Sequence, residues 1–107
     1  MRLNKSVTCA DGFSMSVQAH RTAYCTPRIN NATSYSHVEI GYPSDYDSIL
    51  IKYAEDPHKP TMTVYGYVPK EIVTLVILNH GGVVAGELPN GFCVDKLSKN
   101  NLNKNKP

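Results

Sequence analysis

The sequence predicts an α+β fold, with a mostly antiparallel sheet of four to six strands and one packed helix at about residues 69–80. Two observations predict it. Short segments of alternating apolar and polar residues recur along the chain, and one nearly continuous apolar segment lies between a proline and two glycines. The 107 residues suffice for a single domain, which we expect over residues 1–95.

Three strands are predicted in the first half of the chain. Residues 13–19 alternate strictly between apolar and polar side chains, the pattern of a strand with one buried face. The Asp11-Gly12 pair before them is a turn signal, so residues 5–10 are expected to form a partner strand. Residues 37–42 alternate again, and the proline that follows cannot continue a ladder.

Two further strands are predicted in the middle of the chain. Residues 48–54 contain a short solid apolar run, which indicates a strand partly covered on both faces. Residues 61–68 are dominated by β-branched and aromatic residues. Alternation there predicts a core-facing set and an outward set, Met62, Val64 and Val68 against Tyr65 and Tyr67. Gly66 falls among the inward positions, which indicates a bulge or a close neighbour.

The apolar segment that follows has the start and stop signals of a helix. Pro69 is placed at the first helical position, where its missing N–H costs nothing, and Glu71 lies near the positive end of the helix dipole. Gly81 supplies the residue that commonly ends a helix in the left-handed conformation. The alternative is a β-hairpin with its turn at residues 79–82, but only β-propensity favours it. Because this helix is nearly all apolar, we expect it to be buried against the sheet.

The character of the chain changes toward its end. Residues 83–88 are expected to form a closing strand. Residues 96–107 contain four lysines, four asparagines and only two leucines. That segment has too little apolar surface to offset the entropy of ordering, so a Lys/Asn-rich disordered tail is predicted.

The absence of a membrane-spanning run and of a signal peptide predicts a cytoplasmic protein. No run approaches the ~18 apolar residues that span a bilayer, and no signal peptide is recognised at the start. Cys9, Cys25 and Cys93 are then expected to be free thiols, since the cytosol is reducing. The alternative is a zinc site built from Cys9, His20, Cys25 and His37. Its spacing matches no compact zinc motif, so we expect no metal and no cofactor.

The sequence contains no established catalytic motif. Residues 79–82, Asn-His-Gly-Gly, are similar to the oxyanion-hole loop of some esterases, but no Gly-x-Ser-x-Gly nucleophile turn accompanies them. The end of a helix is the preferred interpretation. Cys25 with His20 or His37 could form a nucleophile pair, although a structural thiol is preferred. We therefore predict a protein that is not an enzyme and has no catalytic residues.

Acidic residues and tyrosines are concentrated together in the middle of the chain. Residues 39–56 contain five acidic side chains against one lysine. Within them, the acidic–tyrosine segment, residues 42–56, is predicted to bind a partner protein because tyrosine is enriched in interfaces and charge selects partners. The predicted contact residues are Tyr42, Asp45, Tyr46, Asp47, Tyr53, Glu55 and Asp56. Their carboxylates are expected in water, at strand ends. The other interpretation is that the tyrosines border the core and the acids solvate loops.

Four blocks of the sequence carry a resemblance. They are residues 11–18 (Asp-Gly-Phe-Ser-Met-Ser-Val-Gln), 23–28 (Ala-Tyr-Cys-Thr-Pro-Arg), 38–44 (Val-Glu-Ile-Gly-Tyr-Pro-Ser) and 63–69 (Thr-Val-Tyr-Gly-Tyr-Val-Pro). With these blocks the chain resembles small accessory proteins encoded by bacteriophages and prophages. That resemblance implies an inhibitor of host defence, CRISPR–Cas inhibitors among them, acting by binding.

The resemblance therefore implies a phage-encoded interaction protein that binds and blocks a host protein, such as a defence nuclease complex. Its partner would be basic and nucleic-acid-binding; no membrane and no direct contact with nucleic acid are expected. The alternative is a small nucleic-acid-associated protein using Arg21, Arg28 and the basic tail. It is disfavoured because a nucleic-acid binder needs a continuous basic face.

Overall fold

The computed structural model describes residues 2–93 and confirms the predicted α+β fold. Its elements are β1 Val7–Cys9, β2 Ser14–Gln18, β3 His37–Gly41, a 3₁₀ turn Ile51–Tyr53, β4 Val64–Pro69, α1 Lys70–Asn79 and β5 Val83–Ala85. The strands form one antiparallel sheet in the order β4-β3-β2-β1-β5. The predicted tail, residues 96–107, lies outside the described residues.

The hairpin of β1 and β2 turns at the predicted Asp11-Gly12 pair. The Asp11 carboxylate accepts a hydrogen bond of 2.9 Å from the amide of Phe13, which closes a local side-chain turn. Gly12 has a φ of +94°, a conformation that glycine adopts without steric cost. The register then pairs Val7 with Met15, and both side chains are buried.

Helix α1 follows β4 without a loop and ends at the predicted glycine. Pro69 is the N-cap, so the helix begins one residue later than predicted. The amide of Gly81, at a φ of +92°, donates to the carbonyl of Leu78 at 3.1 Å. The amide of Gly82 donates to the carbonyl of Ile77 at 2.9 Å. This pair of bonds is the Schellman motif, which ends helices and has no role in a hairpin turn.

Only one face of α1 is buried. Val73, Val76 and Ile77 are completely covered, whereas Leu75 is 45% exposed and Leu78 is 62% exposed. The helix is packed through this face, as expected, but its apolar side chains are not all buried, because the fold covers α1 from one side. With ten residues, α1 is also too short to cross a membrane, and the part of the chain described contains no helix that could.

A β-bulge in β4 changes which side chains face the core. On β3 one residue separates the partners of Tyr65 and Val68, whereas β4 has two residues, Gly66 and Tyr67, in that interval. Tyr65 and Val68 are therefore both buried, although regular alternation would put them on opposite faces. The bulge predicted at Gly66 is confirmed, and it is the reason that the outward orientation predicted for Tyr65 is wrong. Met62 is 72% exposed because β4 begins after it, so its predicted core position is also wrong.

Residues 48–54 form turns and the 3₁₀ turn Ile51–Tyr53 instead of the predicted strand. The cause lies in Asp47, whose Oδ1 accepts hydrogen bonds from the amides of Ile49 and Leu50 at 2.9 and 3.0 Å. A side chain that bonds these amides replaces the ladder partners that a strand would need. Leu50 still reaches the core and is completely buried.

Candidate partner-binding surface

Three of the predicted contact residues project from the turn after β3. Tyr42 is 62% exposed, Tyr46 is 54% exposed, and Asp45 is exposed as well. Tyr42 has a φ of +50°, a left-handed conformation that is unusual for a bulky side chain. Its amide donates to the carbonyl of Thr63 at 3.1 Å, which holds the turn against the chain before β4. We call Tyr42, Asp45 and Tyr46 the turn surface.

Asp47, the next predicted contact residue, is not part of this surface. It is 9% exposed, and its Oδ2 lies 2.8 Å from Nε2 of His80. The expectation of a carboxylate in water is therefore wrong for Asp47, because its two oxygens are used inside the protein. Asp56 is half-buried and accepts a hydrogen bond of 3.1 Å from the amide of His58. An aspartate that begins a turn is the local signal for such bonds.

His80 lies between two carboxylates. Its Nδ1 is 2.6 Å from Oδ2 of Asp11, on the side opposite Asp47. The ring of Phe13 stacks on the imidazole, with centroids 4.0 Å apart and planes 7° from parallel. Each ring nitrogen faces an acceptor, so both contacts are satisfied as hydrogen bonds when both nitrogens carry protons. The arrangement therefore favours a charged imidazolium.

Opposing influences act on the pKa of His80. Loss of solvent around the ring is the largest and lowers the pKa, but the hydrogen bonds with Asp11 and Asp47, and their negative charge, together raise it above 6.5. The bond from His80, with that from the amide of Phe13, lowers the pKa of Asp11. The geometry agrees with a raised pKa for His80, because both ring nitrogens lie within hydrogen-bond distance of carboxylates. Since neither is free to take a proton from a substrate, this cluster has the geometry of a structural cross-link.

A second group of side chains surrounds a cleft beside β4. The cleft has a volume of about 270 Å³. We call it the tyrosine cleft; its lining residues are Tyr24, Tyr53, Glu55, Val64, Gly66 and Tyr67. Tyr53 and Glu55 were predicted as contact residues. Tyr67 was predicted only to face outward, and Tyr24 was not predicted to belong to a site.

The bulge in β4 builds this cleft. Tyr67 has a φ of +52°, and its amide donates to the carbonyl of Tyr24 at 3.0 Å instead of to β3. The two rings lie with centroids 5.9 Å apart. A Cβ added to Gly66 would lie 3.3 Å from the Cβ of Tyr24, so the glycine lets this segment approach closely. The carboxylate of Glu39, a residue of β3, accepts a hydrogen bond of 3.0 Å from the amide of Tyr24 and so holds Tyr24 in place.

Cations already lie over two of the tyrosine rings. The guanidinium carbon of Arg28 is 5.4 Å from the ring centroid of Tyr24, and Nζ of Lys52 is 5.3 Å from that of Tyr53. Both distances are within the range of attraction between a cation and an aromatic face. Neither Arg28 nor Lys52 lines the tyrosine cleft. Glu55, which is exposed, is the one charged residue among the six that do.

A larger cavity of about 490 Å³ lies on another part of the molecule. Its polar lining includes Arg2, Asn4 and Asn90. Arg2 forms a two-bond ion pair with Glu87, at 2.8 and 3.1 Å. The side chain of Asn4 donates to a backbone carbonyl at 3.2 Å, and that of Asn90 does so at 2.9 Å. Because these groups already have partners in the protein, the tyrosine cleft is the stronger candidate site.

Two of the three cysteines are placed as structural thiols. Cys9 and Cys25 are buried, and Cys93 is exposed. Burial raises the pKa of Cys9 to about 11, with a further contribution from the charge of Asp11. Burial also raises the pKa of Cys25, whose Sγ lies 3.2 Å from the carbonyl of His20. A raised pKa disfavours the reactive thiolate. Within residues 2–93, no cluster of three or more His, Cys, Asp or Glu side chains is arranged to hold a metal ion.

Comparison with known proteins finds no matching family model, no matching curated protein and no matching solved structure. The turn surface and the tyrosine cleft are therefore the features of the molecule from which a function can be inferred.

Proposed function

We propose that this protein is a non-enzymatic interaction protein that binds a basic, nucleic-acid-binding protein of a bacterial host. The observation that supports the proposal is the turn surface, where Tyr42, Asp45 and Tyr46 project from one turn into solvent. Tyrosine offers a large contact area together with a polar group, which is why it is enriched in interfaces. A neighbouring carboxylate adds attraction to a basic partner and speeds association.

The narrower form of this proposal is inhibition of a host-defence nuclease complex such as CRISPR–Cas, as the phage resemblance implies. A nucleic-acid-binding groove is rich in Lys and Arg because it must neutralise phosphates. Carboxylates can substitute for the phosphates, and tyrosines for the bases that stack in such grooves. The proposal includes a location in the bacterial cytoplasm, and the three free thiols are compatible with its reducing conditions.

The experiment is affinity capture from host lysate with mass spectrometry, followed by measurement of association with the captured protein. The variant is Asp45→Lys with Tyr46→Ala, both on the turn surface. We expect association to slow by about tenfold or more at low salt, because electrostatic steering acts on the on-rate. The free energy of unfolding should change by less than about 0.5 kcal/mol, since the substituted side chains are exposed.

The control variant is Arg21→Glu, an exposed residue of the opposite charge outside both surfaces. It should leave partner binding within about twofold, a change well below 1 kcal/mol. Gel-shift assays with DNA and RNA accompany it. The nucleic-acid alternative would replace this proposal under three conditions together. The wild type would bind nucleic acid, Arg21→Glu would lose that binding, and the turn-surface variant would have no effect.

A further inference from the structure

We propose that the tyrosine cleft binds an arginine side chain of the partner protein. This inference rests on the proposed function, because it assumes a basic protein partner. It adds a second contact, formed by Tyr24, Tyr53, Tyr67 and Glu55, that differs from the turn surface in shape. The turn surface offers exposed tyrosines and a carboxylate on a turn, whereas the tyrosine cleft is a concave site lined by three tyrosines and one glutamate.

The lining of the cleft selects a cation. Its aromatic walls present π-systems that attract positive charge. Glu55 is the charged group in the lining, so a phosphate-bearing ligand would be repelled and a cation attracted. The contacts of Arg28 with Tyr24 and of Lys52 with Tyr53 show that two of these rings accept cations in the folded protein. Neither Arg28 nor Lys52 is among the residues that line the cleft, and the ring of Tyr67 has no such cation over it in the part of the chain that the structure describes.

Arginine fits this lining better than lysine. The guanidinium is planar, stacks on aromatic faces and is less strongly hydrated than an ammonium group. It can also donate two parallel hydrogen bonds to one carboxylate, which Glu55 supplies. A lysine ammonium offers a point charge without the flat surface. We therefore expect arginine to bind more tightly than lysine and much more tightly than an uncharged isostere.

Backbone strain at the cleft supports a binding role. Tyr67 keeps a φ of +52°, a conformation that is strained for a bulky residue. Such strain persists where surrounding contacts impose it, and here the bond from the Tyr67 amide to the carbonyl of Tyr24 does so. The result is that the Tyr67 ring stays 46% exposed beside Tyr24 instead of entering the core. An exposed aromatic wall is held in place before any partner arrives.

The test is an NMR titration of the full chain with an acetylated and amidated pentapeptide, Gly-Gly-Arg-Gly-Gly. We expect the amide signals of Tyr24, Glu55, Gly66 and Tyr67 to shift. The same peptide with citrulline, which lacks the charge, should bind at least about tenfold more weakly, as should the wild-type peptide to Glu55→Gln. The lysine peptide should bind with intermediate affinity. Equal binding of the arginine and citrulline peptides would overturn the proposal.

One variant removes an aromatic wall of the cleft, and a control variant removes an exposed side chain outside both surfaces. Tyr67 is exposed, has a φ of +52° and lines the cleft. Asparagine tolerates the left-handed conformation, so Tyr67→Asn removes the ring without forcing the backbone to change. We expect Tyr67→Asn to weaken binding of the arginine peptide by roughly fivefold. Met62→Ala, at a side chain that is 72% exposed and does not line the cleft, should leave binding unchanged. Equal effects of the two variants would contradict a cleft-specific site.

A titration with the dinucleotide dTpdT separates an arginine site from a base-stacking site. Shifts of the cleft signals with dTpdT and none with the arginine peptide would overturn the inference.

Failure of this inference can also be told apart from failure of the proposed function. If the turn-surface variant loses the partner while the arginine peptide does not bind, the proposed function stands and this inference fails. If the arginine peptide binds and the turn-surface variant still binds the partner protein, the arginine site in the cleft is supported and the proposed role of the turn surface is contradicted.

Discussion

His80 and Asp47 share a hydrogen bond of 2.8 Å between Nε2 and Oδ2, although 33 residues separate them in the chain. Asp11 bonds the other ring nitrogen at 2.6 Å. One imidazole thus joins the turn between β1 and β2, the end of α1 and the loop before the 3₁₀ turn. Because this cross-link uses charged groups, its contribution to stability can be tested by substitution and by pH.

Asp47→Ala should lower the free energy of unfolding by about 2 kcal/mol, because it removes the acceptor of two loop amides as well as the bond to His80. Asp45→Ala is the matched control. Asp45 lies two residues earlier and is exposed, so its loss should cost less than about 0.5 kcal/mol. Urea unfolding of both variants gives the comparison. Similar losses for the two would show that Asp47 is not a structural residue.

The stability of the protein should fall as the pH rises from 6.5 through the raised pKa of His80. The pKa of His80 is higher in the folded protein than its ordinary 6.5, so the folded state holds the proton more tightly. The stabilisation is therefore complete below pH 6.5 and is lost as the pH rises through the raised pKa. Asp11 behaves oppositely: its pKa is lowered from 3.8, so its contribution is present above that value and lost as the pH falls.

The measurement for this prediction is urea unfolding between about pH 6 and pH 9, with NMR titration of the imidazole signals to follow His80 directly. His80→Gln should be less stable than the wild type at pH 6 and should lose the part of the pH dependence that His80 causes. Asp11→Asn keeps the contact between His80 and Asp47, so the dependence of its stability on pH should lie between those of the wild type and His80→Gln. Parallel pH profiles for the wild type and His80→Gln would contradict the prediction.

Gly86 and Gly12 allow backbone strain to be separated from steric overlap. Both have positive φ, +101° and +94°. A Cβ at Gly12 would meet nothing within 4 Å, whereas at Gly86 it would overlap the carbonyl oxygen of Ser6 and lie 2.6 Å from Cα of Val7. Gly12→Ala should therefore cost about 1 kcal/mol, from strain alone.

Gly86→Ala should cost on the order of 3 kcal/mol or more, because β1 or the chain before it must move. The two alanine variants are compared by thermal and urea unfolding. A Gly86→Ala variant as stable as Gly12→Ala would mean that the 86–87 segment can shift away from Ser6 at little cost.

Alkylation should distinguish the three thiols. At pH 8, iodoacetamide should modify one site quickly in the folded protein, since Cys93 is exposed while Cys9 and Cys25 are buried with raised pKa values. Unfolding in urea should make all three reactive, and Cys93→Ser should remove the fast reaction. Intact-mass spectrometry counts the adducts. Rapid modification of Cys25 in the folded state would favour the nucleophile interpretation instead.

Reductant should have almost no effect on stability, because the described thiols are free. Circular dichroism melts with and without a reducing agent should nearly coincide. Removing a native disulfide typically costs ~2–5 kcal/mol, so a bridge would be visible as a melting temperature lower by many degrees. Such a difference would contradict the assignment of free cysteines.

The fold was predictable where the signal is local. Strict alternation identified β2, and the proline and glycine around residues 69–81 identified α1 and its end. The bulge at Gly66 was also predictable. It shifts the alternation of β4 by one residue, which is why the outward orientation predicted for Tyr65 is wrong. The 48–54 run was misassigned because apolar content alone does not show that an aspartate will bond the amides beside it.

The candidate site was predictable only in part, because its contacts join distant segments. Tyr53 and Glu55 were identified by composition, whereas Tyr24 lies in an irregular segment with no periodicity. Asp11 and His80 are 69 residues apart in the chain, and no local sequence pattern predicts their contact. Long-range pairs of this kind depend on the packing of the whole sheet, which the order of residues along one segment does not determine.

The outer side of β4 is closed to strand addition. The carbonyl of Val64 accepts the Glu55 amide at 2.9 Å, Tyr65 bridges to Ala54, and the Tyr67 amide is bonded to Tyr24. An edge strand with unpaired backbone groups can recruit another chain into a continuous sheet, and here those groups are already used. A partner that approaches this side must therefore be recognised by side chains rather than by backbone pairing. The protein can thus expose the tyrosines beside β4, even at high concentration, without promoting aggregation by strand pairing along this edge.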